Sequence, residues 1–489
     1  MAYIIGVDDV SKKIKEIVMG IDGVAHPVKS AYIGVDGIAQ KFFQRGYYQK
    51  RIYFFGYTGT LGDNYLTNKI YSIKTDGTEP LEYTLETPIM AYYKGYTGTF
   101  YPAYATWPNI VSAKMYYDPN TQRLCIIGFG SNMSTMHFYT IDCSKNEIID
   151  HKTYNQGYFS NQYQFGIYYS YEQGCIYYGR GHTDTRFVCY NIRTSTLSSV
   201  TYTPTTTSGR LYIRGLFATP ITNGARLSVV YADSSNQYQN IQSGAFDFDT
   251  VNETITQVSG VSAMPANSNR LCFIPPHPFI NKNTFNNAVG ICFVGTIYDS
   301  SVNDYKSENG YIITKNGYKG SYFSIPSSFM VNRQFGTSNA HGQIWVQDTN
   351  GTRLGKYLNS YSAVNNPTGS MANNSGKTYE GPVIGGGIIT GYNNTSSAVI
   401  YVNIAGSYYN ITPNNYGEYN NAVFEGVNLK ECLIPNNNKI LVYDFSQAAY
   451  SAPIDISLAL TTYGINLLPY TAILSWTKPE QDALVNLGY

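Results

Sequence analysis

The chain has 489 residues, enough for two or three average domains or one large β-domain with an appendage, and carries a formal net charge of +1 with only 13% charged residues. So weak a charge argues against a nucleic-acid binder that works by neutralising phosphates. Tyrosine is the outlier: 49 Tyr stand against 22 Phe and 3 Trp, beside 45 Gly, a mixture that favours strands and turns and supplies rigid amphipathic rings.

In chain order, the first feature is a phrase repeated three times at a spacing of 14 residues: Gly6-Val7-Asp8-Asp9-Val10, Gly20-Ile21-Asp22-Gly23-Val24 and Gly34-Val35-Asp36-Gly37-Ile38. Asp-Gly tolerates the positive φ angles of a type I′ turn, so Asp22-Gly23 and Asp36-Gly37 read as the turns of small β-hairpins in series. A run of about 40 residues buries too little apolar surface to stand alone, and such hairpins need a neighbouring domain, a symmetry mate or a larger particle to cover them.

The fuller pattern Tyr32-Ile33-Gly34-Val35-Asp36-Gly37-Ile38-Ala39-Gln40-Lys41, preceded by degenerate copies over 5–13 and 19–29, resembles the repeated Y-I/V-G-V-x-G-x-A-x-K head of tail and baseplate-associated structural proteins of phages and prophages of Gram-positive bacteria. The resemblance covers only the first 43 residues, and the first copy departs from it, with Asp9 for Gly and Ser11 for Ala. In that family the head precedes unrelated C-terminal modules. The resemblance therefore implies an attachment segment at 1–43, docking to other virion or tail proteins through Gly6, Gly20, Asp22, Gly23, Gly34, Asp36 and Gly37, in a homo-oligomeric particle. The start Met1-Ala2-Tyr3 has neither a basic nor a long apolar stretch, so assembly in the host cytoplasm into a virion is expected. No window reaches the roughly 18 apolar residues of a membrane span.

From residue 45 onward a second phrase recurs: a strand ending in a small or turn residue, a polar loop, then a strand containing an aromatic. The clearest copies pair 123–128 with 137–142 and 175–179 with 187–192; others pair 51–56 with 69–73, 227–231 with 245–248, 289–295 with 311–314, 344–347 with 354–358, 387–391 with 399–404 and 432–435 with 439–445. The first strands end 44 to 72 residues apart, a period near that of a four-stranded sheet and the signature of a β-propeller. The layout is similar to kelch-like and galactose-oxidase-like blades, without their regular Gly-Gly doublet. The copy at 344–358 has the shortest hairpin and reads as an insertion, so seven blades are expected, with six or eight as alternatives. A pair of β-sandwiches, the competing architecture, does not predict one phrase recurring along most of the chain.

Near the end, Thr477-Lys478-Pro479-Glu480 has the form of a capping box, which predicts a short helix over 481–487 with Gly488 as its C-cap. The expected organisation is thus all-β: hairpin repeats at 1–43, a propeller at 44–460, and a C-terminal extension with a short helix at 461–489.

Searching for chemistry finds little. The six histidines, His26, His137, His151, His182, His277 and His341, are scattered, with no His-x-x-x-His pair and no Gly-x-Ser-x-Gly elbow. Asp8-Asp9 and Asp247-Phe248-Asp249 are the only close carboxylate pairs worth weighing, and both read as turn acids. Gln347-Asp348-Thr349-Asn350-Gly351-Thr352 lacks the Ser and Trp of a sialidase Asp-box, and calcium loops are absent. The seven cysteines cannot all pair and show no zinc or redox spacing, so they read as reduced and buried. No catalytic residue, cofactor or metal is expected, and the chain reads as a non-enzyme.

The segment 91–107 is crowded with aromatics between glycines, and Tyr96, Tyr101 and Trp107 are its candidate recognition residues. Rings bordered by Asn, Thr and backbone amides suit a sugar, although stacking between blades or between protomers, an ordinary demand of the fold, is the plainer explanation. The function expected from these features is a structural protein of a phage tail, baseplate or tail-like particle, its propeller displayed toward host cell-wall glycan or a surface protein. The alternatives are a dedicated glycan-binding receptor-binding protein and a glycan depolymerase.

Overall fold

The computed structural model describes residues 50–61, 64–93, 113–156, 165–170, 172–181, 185–205, 209, 211–233, 240–264 and 454–475, together with the backbone of strands lying within 18–44 and 270–450. The chain divides into two compact units, Met1–Gln49 and Lys50–Tyr489. In the first, β1 (Val18–Ile21) pairs antiparallel with β2 (Val24–Pro27), and β3 (Ser30–Val35) with β4 (Ile38–Gln44). The ladders end at Ile21↔Val24 and Val35↔Ile38, so only Asp22-Gly23 and Asp36-Gly37 separate the paired strands. Those four residues, like Gly6 and the whole first copy of the phrase, lie outside the described residues; Gly20 falls in β1 and Gly34 in β3.

The second unit is a β-propeller in which the described residues form eight antiparallel sheets, six of four strands and two of five. The first sheet contains β5 (Arg51–Tyr57), β6 (Asn64–Lys74) and β7 (Leu81–Tyr93); the second, β8 (Lys114–Asp118), β9 (Arg123–Phe129), β10 (Thr135–Asp142) and β11 (Glu147–Asn155). The third comprises β12 (Phe165–Ser170), β13 (Cys175–Arg180), β14 (Thr185–Asn191) and β15 (Thr196–Tyr202), and the fourth β16 (Tyr212–Ile221), β17 (Gly224–Ala232), β18 (Ile241–Asp249) and β19 (Thr254–Gln257). Four more occupy 270–324, 336–365, 378–411 and 424–455. Every strand pair read from the sequence forms the middle of one sheet. The preferred count of seven gives way to eight because the copy at 344–358 is flanked by Gly336–Ser338 and Ser360–Asn365, which complete a sheet around the short hairpin.

Burial explains the sequence pattern sheet by sheet. Middle strands are covered on both faces and run apolar, as in Leu124-Cys125-Ile126-Ile127 of β9, whereas the outermost strand β11 is partly exposed and carries Glu147, Asp150 and Lys152. The glycines that end the middle strands answer a packing demand. A Cβ on Gly128 would lie 2.8 Å from Ile89 of the first sheet, and one on Gly179 would lie 2.8 Å from Ile213 and Leu216 of the fourth, so the missing side chain lets the next sheet close in.

Hairpin ends reuse a single turn. Asp142, Asn191 and Asp249 each accept backbone N–H groups two and three residues on through their side-chain oxygen, and Asn146, Ser195 and Glu253, four residues on, take left-handed φ angles of 57°, 58° and 53°. Asp118 builds the same turn with Gln122 at φ 55°, and its other oxygen accepts from Nε and Nη2 of Arg193 at 3.1 and 2.9 Å, tying the second sheet to the third. Asp118 is fully buried in this pair, so removal of either partner would strand a charge.

The ring closes through a strand that sequence patterning assigned to an extension. Asn466–Leu474, the closing strand, pairs antiparallel with β5 and completes the first sheet, so the propeller runs past residue 460. It packs against β8 of the second sheet on one side and against strands of the eighth on the other. Just past it, Ser475 clasps Arg51: Ser475 N donates to Arg51 O at 2.9 Å and Arg51 N donates to Ser475 Oγ at 2.9 Å. A short C-terminal helix is present as α1 (Ser457–Tyr463), ending at Gly464 with φ 61°; the stretch 477–487 lies outside the described residues. Among the described residues no helix is long and apolar enough to cross a membrane. Cys125, Cys143, Cys175 and Cys189 are buried free thiols, and burial pushes Cys143 up to about 12.

If the closing strand is integral to the core, Ile473→Ala, at a fully buried site paired with Tyr53, lowers unfolding stability by about 2–5 kcal/mol in urea titrations. A loss well under about 1 kcal/mol would mean the strand is peripheral.

Candidate ligand groove and its histidine relay

A groove of about 700 Å³ opens between the first and second sheets, walled by β6 and β7 on one side and by the β9–β10 connection with the start of β10 on the other. Its floor includes His137, and the antiparallel ladder of β10 with β11 decides what stands behind it. Tyr139 is directly opposite His151 while His137 is opposite Thr153, so His137 and His151 are diagonal neighbours on one face of the sheet.

The three polar groups form a chain. His151 Nδ1 lies 2.9 Å from Glu86 Oε2 on β7, and His151 Nε2 lies 3.0 Å from His137 Nδ1. An ionised carboxylate only accepts, so His151 carries its proton on Nδ1; its Nε2 then accepts from Nδ1–H of His137, leaving the lone pair of His137 Nε2 as the ring's acceptor. Tyr139 holds the chain in place. Its ring stacks on His151 with centroids 4.0 Å apart at 11°, while its hydroxyl donates to Thr87 O at 3.1 Å and accepts from Thr87 N at 2.9 Å. Burial first, and the neighbouring His151 second, hold His137 below the usual histidine value of 6.5, so the acceptor form prevails at neutral pH.

The remaining wall mixes polar side chains with the apolar Leu66, Pro88 and Ile465. Among the described lining residues Lys69 is the one Lys or Arg, ion-paired with Glu82 at 2.5 Å and donating to Thr84 Oγ1 at 2.7 Å, and none is Asp or Glu. Tyr71 is pushed up to about 12, by burial first and by Glu82 next, so it faces the groove as a neutral phenol. Asn132 spends Oδ1 on Ser134 N and Thr135 N, which leaves its amide donors for a ligand.

Sequence reading placed recognition elsewhere. Tyr96, Tyr101 and Trp107 lie outside the described residues; β7 ends at Tyr93, and the chain re-enters at Ala113, whose N donates to Met90 O at 2.9 Å. The carboxylates Asp247 and Asp249 are structural: Asp247 takes a bidentate contact from Arg226 at 2.7 and 2.8 Å, and Asp249 builds its turn. The relay itself was missed because 14 residues separate His137 from His151. The turn at Asp142 alone would set Phe138 opposite His151 and leave the two histidines on opposite faces; a one-residue register shift between Thr140 and Ile141 brings them onto the same face. Among the described residues no group of three His, Cys, Asp or Glu side chains is placed to hold a metal.

No family model matches the chain, and no curated protein matches it. Among solved structures it is similar to apo AztD from Citrobacter koseri, at 10% identity over 87% of this chain and 98% of that one, with a TM-score of 0.43. It is also similar to Sqt1 of Saccharomyces cerevisiae (9% identity, 70% and 84% covered, TM-score 0.39) and to a Penicillium chrysogenum α-L-arabinanase complexed with arabinobiose (10%, 63% and 92%, TM-score 0.34). Each likeness is one of strand arrangement, and no activity of this chain follows from it.

The relay makes a direct spectroscopic prediction. Long-range proton–nitrogen spectra show His137 protonated on Nδ1 at pH 7.5 and titrating below 6.5. Because the unfolded chain then takes up that proton before the folded one, the contribution of His137 to stability is lost as pH falls from 6.5 toward the folded value. A His137 protonated on Nε2, or titrating above 6.5, contradicts the arrangement.

Proposed function

We propose that this protein is a structural component of a phage tail, baseplate or tail-like particle, anchored by its N-terminal hairpins and displaying its propeller for attachment to a host surface. The observation that carries the reading is the separation of the hairpins from the propeller as a compact unit of their own, with the repeated phrase supplying β1 to β4 and their two-residue connections. A small unit made of two-stranded ladders calls for an external surface to cover it, and a particle assembled from several copies of the chain provides one. Residues 1–43 are then the docking segment toward other virion proteins, and the working location is the particle.

Binding rather than turnover fits the groove. Glycoside hydrolysis normally requires two carboxylates flanking the scissile bond, whereas the described lining residues include none and Glu86 is engaged behind the floor by His151. The wild-type protein accordingly releases no reducing sugar from cell-wall glycans.

Docking is tested by Gly23→Val and Gly37→Val in the full chain, substitutions that a type I′ turn does not accept at its second central position. Both variants are expected to drop out of purified particles by at least tenfold while the propeller keeps its melting temperature. Normal incorporation of the double variant would remove the hairpins from the docking role, and reducing-sugar release by the wild type would remove the binding assignment.

A further inference from the structure

We propose that the groove between the first and second sheets binds a neutral oligosaccharide, one of whose hydroxyls donates to Nε2 of His137. The inference rests on the surface-attachment part of the reading above and is independent of the docking segment.

Size is the first argument. About 700 Å³ lies within the range of small-ligand clefts and accommodates two or three sugar rings. Charge is the second. Among the described lining residues the one Lys or Arg is neutralised by Glu82 and none is Asp or Glu, so neither an anionic nor a cationic ligand has a counter-charge waiting there. The third is hydrogen-bonding capacity: the Asn68 amide and the Thr135 hydroxyl have no partner among the described residues, and the Asn132 amide donors are unspent. Together with the acceptor on His137 these groups offer both donors and acceptors at short spacing, which is what adjacent sugar hydroxyls require. Tyr65, turned edge-on to Tyr57 with centroids 6.2 Å apart, supplies an aromatic surface for the apolar face of a ring.

The relay makes the acceptor specific and pH-sensitive. The groups facing His137 are His151 and Glu86 behind it, Tyr139 beside it, and Lys69, Tyr65 and Tyr71 across the groove. His137, held below its ordinary value by burial and then by His151, is the group whose change of charge matters to a ligand. Protonation of His137 turns Nε2 from acceptor to donor, so a hydroxyl that donated to it at neutral pH loses its partner on the acid side.

The test uses the full-length protein with chitotriose, cellotriose and maltotriose as probes, followed by saturation-transfer NMR and calorimetry at pH 7.5 and 5. The wild type is expected to bind at least one probe at pH 7.5 and at least fivefold more weakly at pH 5. His137→Phe keeps a ring of similar bulk without the acceptor, and Thr135→Val keeps shape without the hydroxyl; each is expected to weaken binding at pH 7.5 by tenfold or more. Asn68→Ala, on the groove wall, decides the matter if His137→Phe fails to fold. No binding of any probe by the wild type, or affinity unchanged in both Thr135→Val and Asn68→Ala, overturns the assignment. Gly23→Val with Gly37→Val separates the two readings, since loss of particle docking with unaltered probe binding is a failure of the anchor and not of the groove.

Discussion

A sheet edge left open is a row of unpaired N–H and C=O groups, and the second unit solves that problem by bending its sheets into a ring whose last strand is inserted beside its first. The pairing of Asn466–Leu474 with β5 is the condition on which the other contacts depend. It brings the eighth sheet against the first, where Ile52, Phe54 and Ile73 share a core with Ile440, Ile454 and Ile456. It also holds the first sheet beside the second, so the groove and the contact of Tyr139 with Thr87 are consequences of closure.

The repeat was legible because each sheet has the same requirement: two strands covered on both faces, hence two apolar runs, and a glycine where the neighbour approaches. The two apolar runs recur in every copy, and the closing glycine in some of them, as at Gly128 and Gly179, which is why all eight pairs could be placed. The count went astray at 344–358 because hairpin length was used to judge a sheet whose completeness depends on its flanking strands. The closing strand was illegible for a different reason. Asn466-Leu467-Leu468-Pro469-Tyr470 contains a proline, and its partner lies more than 400 residues away, beyond any local pattern. Similarly, α1 begins without a side-chain cap at Ile456, with Asp455 Oδ1 instead accepting from Ser457 N at 2.8 Å, so the usual start signal is displaced by one residue.

The site shows how chemistry hides in register. Glu86, His151 and His137 come from three strands of two sheets, and no spacing rule joins them. The Asp142 turn, with its left-handed Asn146, would by itself place His137 and His151 on opposite faces, and the one-residue shift between Thr140 and Ile141 that aligns them follows from no spacing in the sequence. The Tyr-rich segment drew the eye instead, since abundance is visible in a sequence and alignment across strands is not.

The clasp between Ser475 and Arg51 has a mechanical meaning. Arg51 starts a strand that lies inside its sheet with ladders on both flanks, so a force applied there along the strand meets several partners at once. There Lys50 O accepts from Thr75 N at 3.0 Å, Arg51 exchanges bonds with Ser475, and its Nε donates to Ser72 Oγ at 3.0 Å. A pull along that strand shears several hydrogen bonds together instead of peeling them one by one, so the start of β5 resists being drawn out of its sheet.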